Sequence, residues 1–176
     1  MKTICVFAGA ASGSSPQFSK EAFRIGQMIG SKGYKIIYGG GRTGIMGAFA
    51  DGAITSGAHI TGIIPEFLDS HEIGHKNITE LIITSSMHER KNLMYKNTTD
   101  FVLLPGGLGS LDETMEVLTW CQLKILQARF HIFDFNGFWQ PMKELLIHIN
   151  KHGFMHGTNL NYVFWANTAD ELLDNF

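Results

Sequence analysis

At 176 residues, with 44% hydrophobic and 17% charged side chains, the chain has the make-up of a soluble domain large enough to bury its own core. A formal net charge of −2 supplies no broad basic field for nucleic acid, so any phosphate must be held locally by loops and a few cations. Cys5 and Cys121 make no disulfide scaffold, no apolar run reaches membrane-spanning length, and the N-terminus lacks a secretory-signal layout. A soluble, cytoplasmic protein is expected.

Thr3 to Ala8 is predicted as a first strand, followed by a Gly/Ser loop through Ser15. Pro16 opens a helix whose apolar positions Phe18, Ala22, Ile25 and Ile29 recur at roughly helical spacing. Tyr34 to Tyr38 reads as a second strand, Gly39-Gly40-Gly41 as its turn, and Ile45 to Ser56 as a small-residue helix packed closely on a sheet. His59 to Ile64 is a third strand, stopped by Pro65, and the polar, His-rich stretch from Glu66 to Lys76 is expected to be a loop or short turn. Ile78 to Thr84 is a fourth strand and Met87 to Asn97 a helix. Phe101 to Leu104 reads as a buried strand, followed by a long helix from Ser110 to Leu126. Phe130 to Phe135, a helix from Gly137 to Lys151, a short apolar run from Tyr162 to Trp165 and Ala169 to Leu173 complete the order. Strands alternating with helices predict one α/β domain over residues 1–176, a Rossmann-like doubly wound parallel sheet covered on both faces. Ligands in such sheets bind beyond the carboxyl ends of the strands, where both glycine clusters fall.

The stretch Leu104-Pro105-Gly106-Gly107-Leu108-Gly109-Ser110-Leu111-Asp112-Glu113 carries the most chemistry. Glycines there let backbone N–H groups point inward, and the following helix N-terminus adds positive partial charge, which together make a phosphate cradle. A helix opening at Ser110 would have Asp112 and Glu113 in its first turn. Dipole complementarity accounts for Asp112; Glu113 gains a second use if a nucleotide phosphate occupies the cradle, because its carboxylate then reaches the ribose.

Gly39-Gly40-Gly41-Arg42-Thr43-Gly44 satisfies the G-x-G-x-x-G pattern, with Glu66 near the distance of a ribose-binding acid. The pattern follows the second strand, not the first as in dinucleotide folds, so it reads as a tight turn that also lines the site. In Ser86-Met87-His88-Glu89-Arg90-Lys91-Asn92-Leu93-Met94, helical spacing puts Met87, Arg90 and Met94 on one face. An arginine between apolar neighbours, with the next strand leading directly into the Gly106-Gly107 turn, is expected to be held inward near the cleft; the competing reading is a solvated Glu89–Lys91 pair with Arg90 as an ordinary surface cation. His148 and His152, spaced i, i+4, lack the acidic or cysteine company of a metal site and are placed on an outer helix face, with His156 in the next loop. Phe138, Trp139 and Trp165 are read as core or dimer surface.

The paired segments Met87-His88-Glu89-Arg90-Lys91 and Pro105-Gly106-Gly107-x-Gly109-Ser110-x-x-Glu113 resemble the signature of the Lonely Guy family. Gly39-Gly40-Gly41-x-x-Gly44-Ile45-Met46-Gly47 and Thr119-Trp120-Cys121-Gln122-Leu123 extend the likeness over nearly the whole chain. The resemblance implies a cytokinin riboside 5′-monophosphate phosphoribohydrolase, a type of enzyme whose bacterial members also act on AMP and were often labelled lysine decarboxylases. It implies that Arg90 and Glu113 are catalytic. It also implies that Glu72, Met87, Lys91, Gly106, Gly107, Leu108, Gly109, Ser110, Leu111, Asp112 and Thr119 bind substrate, without cofactor or metal. A homodimer is implied as well. The chain departs from the family pattern after its first strand, where Ala8-Gly9-Ala10-Ala11 stands for the usual Cys-Gly-Ser-Ser, and before a late strand, where Arg129-Phe130 stands for a common Lys-Pro. Ser110 replaces a threonine and keeps its hydroxyl.

The expected reaction is hydrolysis of the N-glycosidic bond of a purine nucleoside 5′-monophosphate through a ribosyl oxocarbenium-like state. Glu113 is assigned to the ribose hydroxyls, the developing cation or water activation. Because arginine does not give up its proton, Arg90 is not read as a general acid but as orienting the phosphate, the base or Glu113. An isoprenoid-modified base would need an apolar pocket, for which Met87, Met94 or the aromatics are the candidates. The rivals are a nucleotide-binding or sensing protein without catalysis, for which the loss of the Ala10/Ala11 hydroxyls speaks, and an NAD-dependent oxidoreductase. A pyridoxal-dependent lysine decarboxylase lacks sequence context around Lys91, Lys96 or Lys124.

Overall fold

A computed structural model describes residues 2–72, 74–155 and 160–176, and of residues 70–72 the backbone alone. Seven strands form one parallel sheet in the order β4-β3-β2-β1-β5-β6-β7. They are β1 (Thr3–Phe7), β2 (Lys35–Tyr38), β3 (His59–Pro65), β4 (Glu80–Thr84), β5 (Asp100–Leu103), β6 (Arg129–Phe133) and β7 (Val163–Ala166). The helices between and after them are α1 (Pro16–Ser31), α2 (Gly44–Thr55), α3 (Glu66–Glu72), α4 (Met87–Tyr95), α5 (Leu108–Gln122), α6 (Gln140–Lys151) and α7 (Ala169–Asp174).

Central strands buried on both faces explain the unbroken apolar runs in the sequence. On β1, Ile4 and Val6 enter a core with α1, α2 and α7, whereas Cys5 and Phe7 enter a second core with Met94, Tyr95, Val117, Leu118, Trp139 and Met142. The helices α1 and α2 touch backbone to backbone: a side chain at Gly26 would run into the Phe49 carbonyl, and one at Gly52 into that of Phe23. Ser15 caps α1 by accepting the Gln17 N–H, with Pro16 in the first turn. No helix among the described residues is long and apolar enough to cross a membrane.

At the amino ends of the central strands, the buried Asp100 carboxylate receives Lys2 at 3.2 Å, Arg129 at 2.8 Å and His131 Nε2 at 3.0 Å. Burial alone would raise Asp100, but hydrogen bonds from His131 and Thr99 and the Lys2 charge outweigh it and hold the carboxyl at about 2. Burial pushes His131 below its ordinary 6.5 despite Asp100, so the ring is neutral at pH 7. Donating from Nε2 leaves Nδ1 without a hydrogen-bond partner among the described residues, beside the rings of Phe164 and Phe176.

Four local expectations need correction. Residues 66–72 form a short helix, not a loop; Glu66 and Asp69 favour its N-terminal turn, and Asp69 accepts the Gly74 N–H at 2.7 Å. Helix α5 starts at Leu108, because Gly107 takes an extended cap conformation, and it stops at Gln122 before Lys124 turns left-handed (φ 60°). Asp112 and Glu113 therefore lie in its second turn, and dipole complementarity is not what places Asp112 there. Helix α6 starts at Gln140, not Gly137, because Asn136 and Gly137 are both left-handed and the Asp134 carboxylate accepts the Trp139 N–H. His156 lies outside the described residues, whereas His148 lies in the last turn of α6 and His152 caps its C-terminus, with their rings 4.3 Å apart.

Candidate active site

The chain reverses its direction of travel across the sheet between β1 and β5, and loops leaving two adjacent strands on opposite faces open a crevice there. A cavity of about 450 Å³ occupies it. The β1–α1 loop (8–13) forms one wall and the β5–α5 turn (105–110) the next, stitched together where the Gly9 N–H donates to the Pro105 carbonyl at 3.0 Å. From the other side, the Ile45 and Met46 N–H groups at the start of α2 donate to Ala11 and Gly9 carbonyls, which fixes the first loop.

The turn after β5 leads straight into the N-terminus of α5. Gly107 is the extended N-cap of α5, and the first N–H groups of a helix have no intrahelical acceptor. Gly106 packs so closely on Ser110 and Gly9 that no side chain fits. Ser110 is buried against it and lines the cavity.

Arg90 is 6% exposed, confirming that it is held inward. Its Nη2 lies 3.5 Å from Glu113 Oε1 and donates to the Gly39 carbonyl, while Nη1 rests 3.8 Å from Met87 sulfur. Gly39 is there because a larger residue would collide with the guanidinium. Arg90 Nε is buried and has no hydrogen-bond partner among the described residues. Glu113, 7% exposed, completes this floor. Cys5 lies close enough beneath for burial and then the Glu113 charge to push its thiol well up, so it stays protonated.

Glu89 and Lys91 do not pair with each other. Glu89 accepts from the Ser85 N–H and hydroxyl, both at 2.8 Å, which holds its carboxyl below the usual range. Lys91 reaches Asp112 at 2.7 Å and Glu116 at 3.0 Å. Burial works against its charge, but those two carboxylates raise its pKa.

Of the residues singled out in the sequence, Met87, Arg90, Gly106, Gly107, Gly109, Ser110, Asp112 and Glu113 share the cavity lining. Lys91, Leu108, Leu111 and Thr119 fall outside it; Leu108 is 85% exposed, and the Thr119 hydroxyl is turned to the Met115 carbonyl. The Glu72 side chain and Ile73 lie outside the described residues. Met94 belongs to the core and not to the pocket, fully buried in the cluster that also holds Phe7 and Phe101. Phe138, in contrast, lines the cavity edge-to-face with Phe18 at 5.6 Å, presented by the left-handed turn before it. Phe18, Leu68 and Met46 also line the cavity and were not singled out as site residues, since their positions there depend on how distant elements meet. Ala10 and Ala11 face the same space, with Ser12 as a hydroxyl within reach. The Gly39–Gly44 turn lines the site only through Gly39; Gly41 bridges to Gly74, and Gly44 packs on the Ala10 backbone.

Residues 46–176 match a family model described as "Possible lysine decarboxylase". The chain is 35% identical over 170 residues to a probable cytokinin riboside 5′-monophosphate phosphoribohydrolase of Oryza sativa subsp. japonica, covering 97% of this chain and 76% of that one. It is 32% identical over 172 residues to a cytokinin riboside 5′-monophosphate phosphoribohydrolase of Arabidopsis thaliana, covering 98% and 81%. Among solved structures, the molybdenum cofactor carrier protein of Chlamydomonas reinhardtii superposes with a TM-score of 0.73 at 17% identity, covering 99% of this chain and 94% of the other. At that identity the likeness speaks for the fold alone.

Proposed function

This chain belongs to the Lonely Guy family, and we propose that it hydrolyses the N-glycosidic bond of purine nucleoside 5′-monophosphates to free base and ribose 5-phosphate. The observation that carries the reading is the buried Arg90–Glu113 pair on the floor of a cavity whose rim is the N-terminus of α5. The cradle from Gly106 to Ser110 receives the phosphate, as helix N-termini do for anions. Glu113 then faces the ribose, where a buried carboxylate stabilises positive charge developing at the anomeric carbon and orients water toward it. The C1′–N bond breaks, water gives its hydroxyl to C1′, and its proton balances the departing purine. Arg90, whose guanidinium lies beside Glu113, orients that carboxylate and the substrate. A pyridoxal-dependent decarboxylase needs a lysine in the pocket, and no lysine lines this cavity among the described residues.

The family relationship also leads us to infer a homodimer, and the two free cysteines accord with a cytoplasmic setting. Light scattering on the purified chain tests the first: a mass of one protomer refutes it.

Chromatography of free base, with AMP and isopentenyl-AMP offered beside their nucleosides, tests the activity. Base released from the monophosphates alone is the expected result. Binding of AMP without release of adenine would instead mark a nucleotide-binding protein.

A further inference from the structure

Helices α4 and α5 lie on the same face of the sheet, yet their backbones barely approach each other. What joins them is a set of long side chains. Lys91, next to Arg90 on α4, spans to Asp112 and Glu116, the residues that bracket Glu113 on α5. Tyr95, one turn further along α4, donates its hydroxyl to the same Glu116 Oε2 at 2.9 Å. The Tyr95 ring is 3% exposed and caged edge-on by Phe7, Phe101 and Trp120, with centroids at 6.1, 5.7 and 5.4 Å. Its hydroxyl is therefore a donor fixed in space. Burial first, and the Glu116 carboxylate second, push its pKa far up, so it keeps its proton.

The Arg90–Glu113 contact, in contrast, is loose at 3.5 Å. At that separation the spacing of the pair follows that of the two helices that carry it. Glu116 does not line the cavity, so it has no direct reach to a bound nucleotide. We propose that Glu116, held by Tyr95 and Lys91, is a positioning residue that fixes the spacing of Arg90 and Glu113 and acts on the reaction only through them. The assignment rests on the hydrolase reading above and adds to it the device that keeps the pair in register. A displacement of about 1 Å in such a pair costs up to roughly 10²-fold in rate.

The test is steady-state base release from AMP by the full chain and by its Glu116→Gln and Tyr95→Phe variants, with kcat per folded enzyme and KM measured for each. Glu116→Gln is expected to lower kcat at least tenfold with KM within twofold of wild type, and Tyr95→Phe to lower it about threefold. A role confined to stability lowers the folded fraction and leaves kcat per folded enzyme in place. Unchanged kcat in both variants, or a rise in KM alone, overturns the assignment while the hydrolase reading stands. Should Glu116→Gln fail to fold, Tyr95→Phe, which removes only a hydroxyl, decides. Absence of base release by the wild-type chain defeats the hydrolase reading, and the positioning role with it.

Discussion

Replacing Glu113 by Gln removes one charge and almost no volume. In the fold the amide oxygen can still accept from Arg90, now 3.5 Å from Oε1, which offsets part of the cost of leaving the buried guanidinium without a counter-charge. The effect on rate is of another size. A carboxylate roughly 4 Å from a developing cation, at an effective dielectric near 20, contributes about 4 kcal/mol. That corresponds to roughly 10³-fold in rate. Arg90 beside it opposes part of this, so a fall in kcat between about 10²- and 10³-fold is expected. Glu113→Ala makes the contrast: it leaves a guanidinium that is 6% exposed without its carboxylate, and breaking a buried pair costs about 3–5 kcal/mol of stability. Chromatographic base release from AMP measures the first effect, and denaturant unfolding of both variants the second. A Glu113→Gln enzyme with more than a tenth of wild-type kcat would refute the electrostatic role of this carboxylate.

Gly106→Ala puts a methyl group into Ser110 and within 2.9 Å of the Gly9 N atom, so the cradle must open; KM for AMP should rise at least tenfold, and a wild-type KM counts against a phosphate at this turn. Gly26→Ala forces α1 off the Phe49 carbonyl of α2, where neither backbone can yield cheaply; a loss of about 1–3 kcal/mol is expected in urea unfolding, as for other overpacked cores. The Asp100 cluster predicts acid sensitivity. With Asp100 held at about 2 in the fold against an ordinary 3.8, its contribution is complete above pH 3.8 and is lost as pH falls toward 2. His131, held below 6.5 and neutral, adds an earlier loss that begins as pH drops through 6.5. Urea midpoints at pH 7, 5 and 3 should therefore fall in step, and Asp100→Asn should flatten the lower part of that curve.

Much of this protein is legible along the chain. Apolar runs such as 101–104, punctuated by glycine turns and separated by helical periods, dictate a parallel sheet covered on both faces, because strands buried on both sides have no polar face to show. Local chemistry also marks the cradle, since only glycines admit the close approach of Gly106 to Ser110 and Gly9. Arg90 was readable as an inward arginine from its spacing with Met87 and Met94 and from the glycine turn that ends the next strand. Other features were decided only by tertiary structure. The register of α5 depends on how Gly107 leaves β5, which moved Asp112 from a dipole partner to an anchor for Lys91. Phe18 and Phe138 meet across the cavity from opposite ends of the chain, and Met94 turns into the core one helical turn from Arg90. Periodicity says which side of an element is apolar; it does not say whether that side meets a neighbouring element or an empty space. That choice is made when separate loops converge on the β1–β5 crevice, by contacts between residues far apart in sequence.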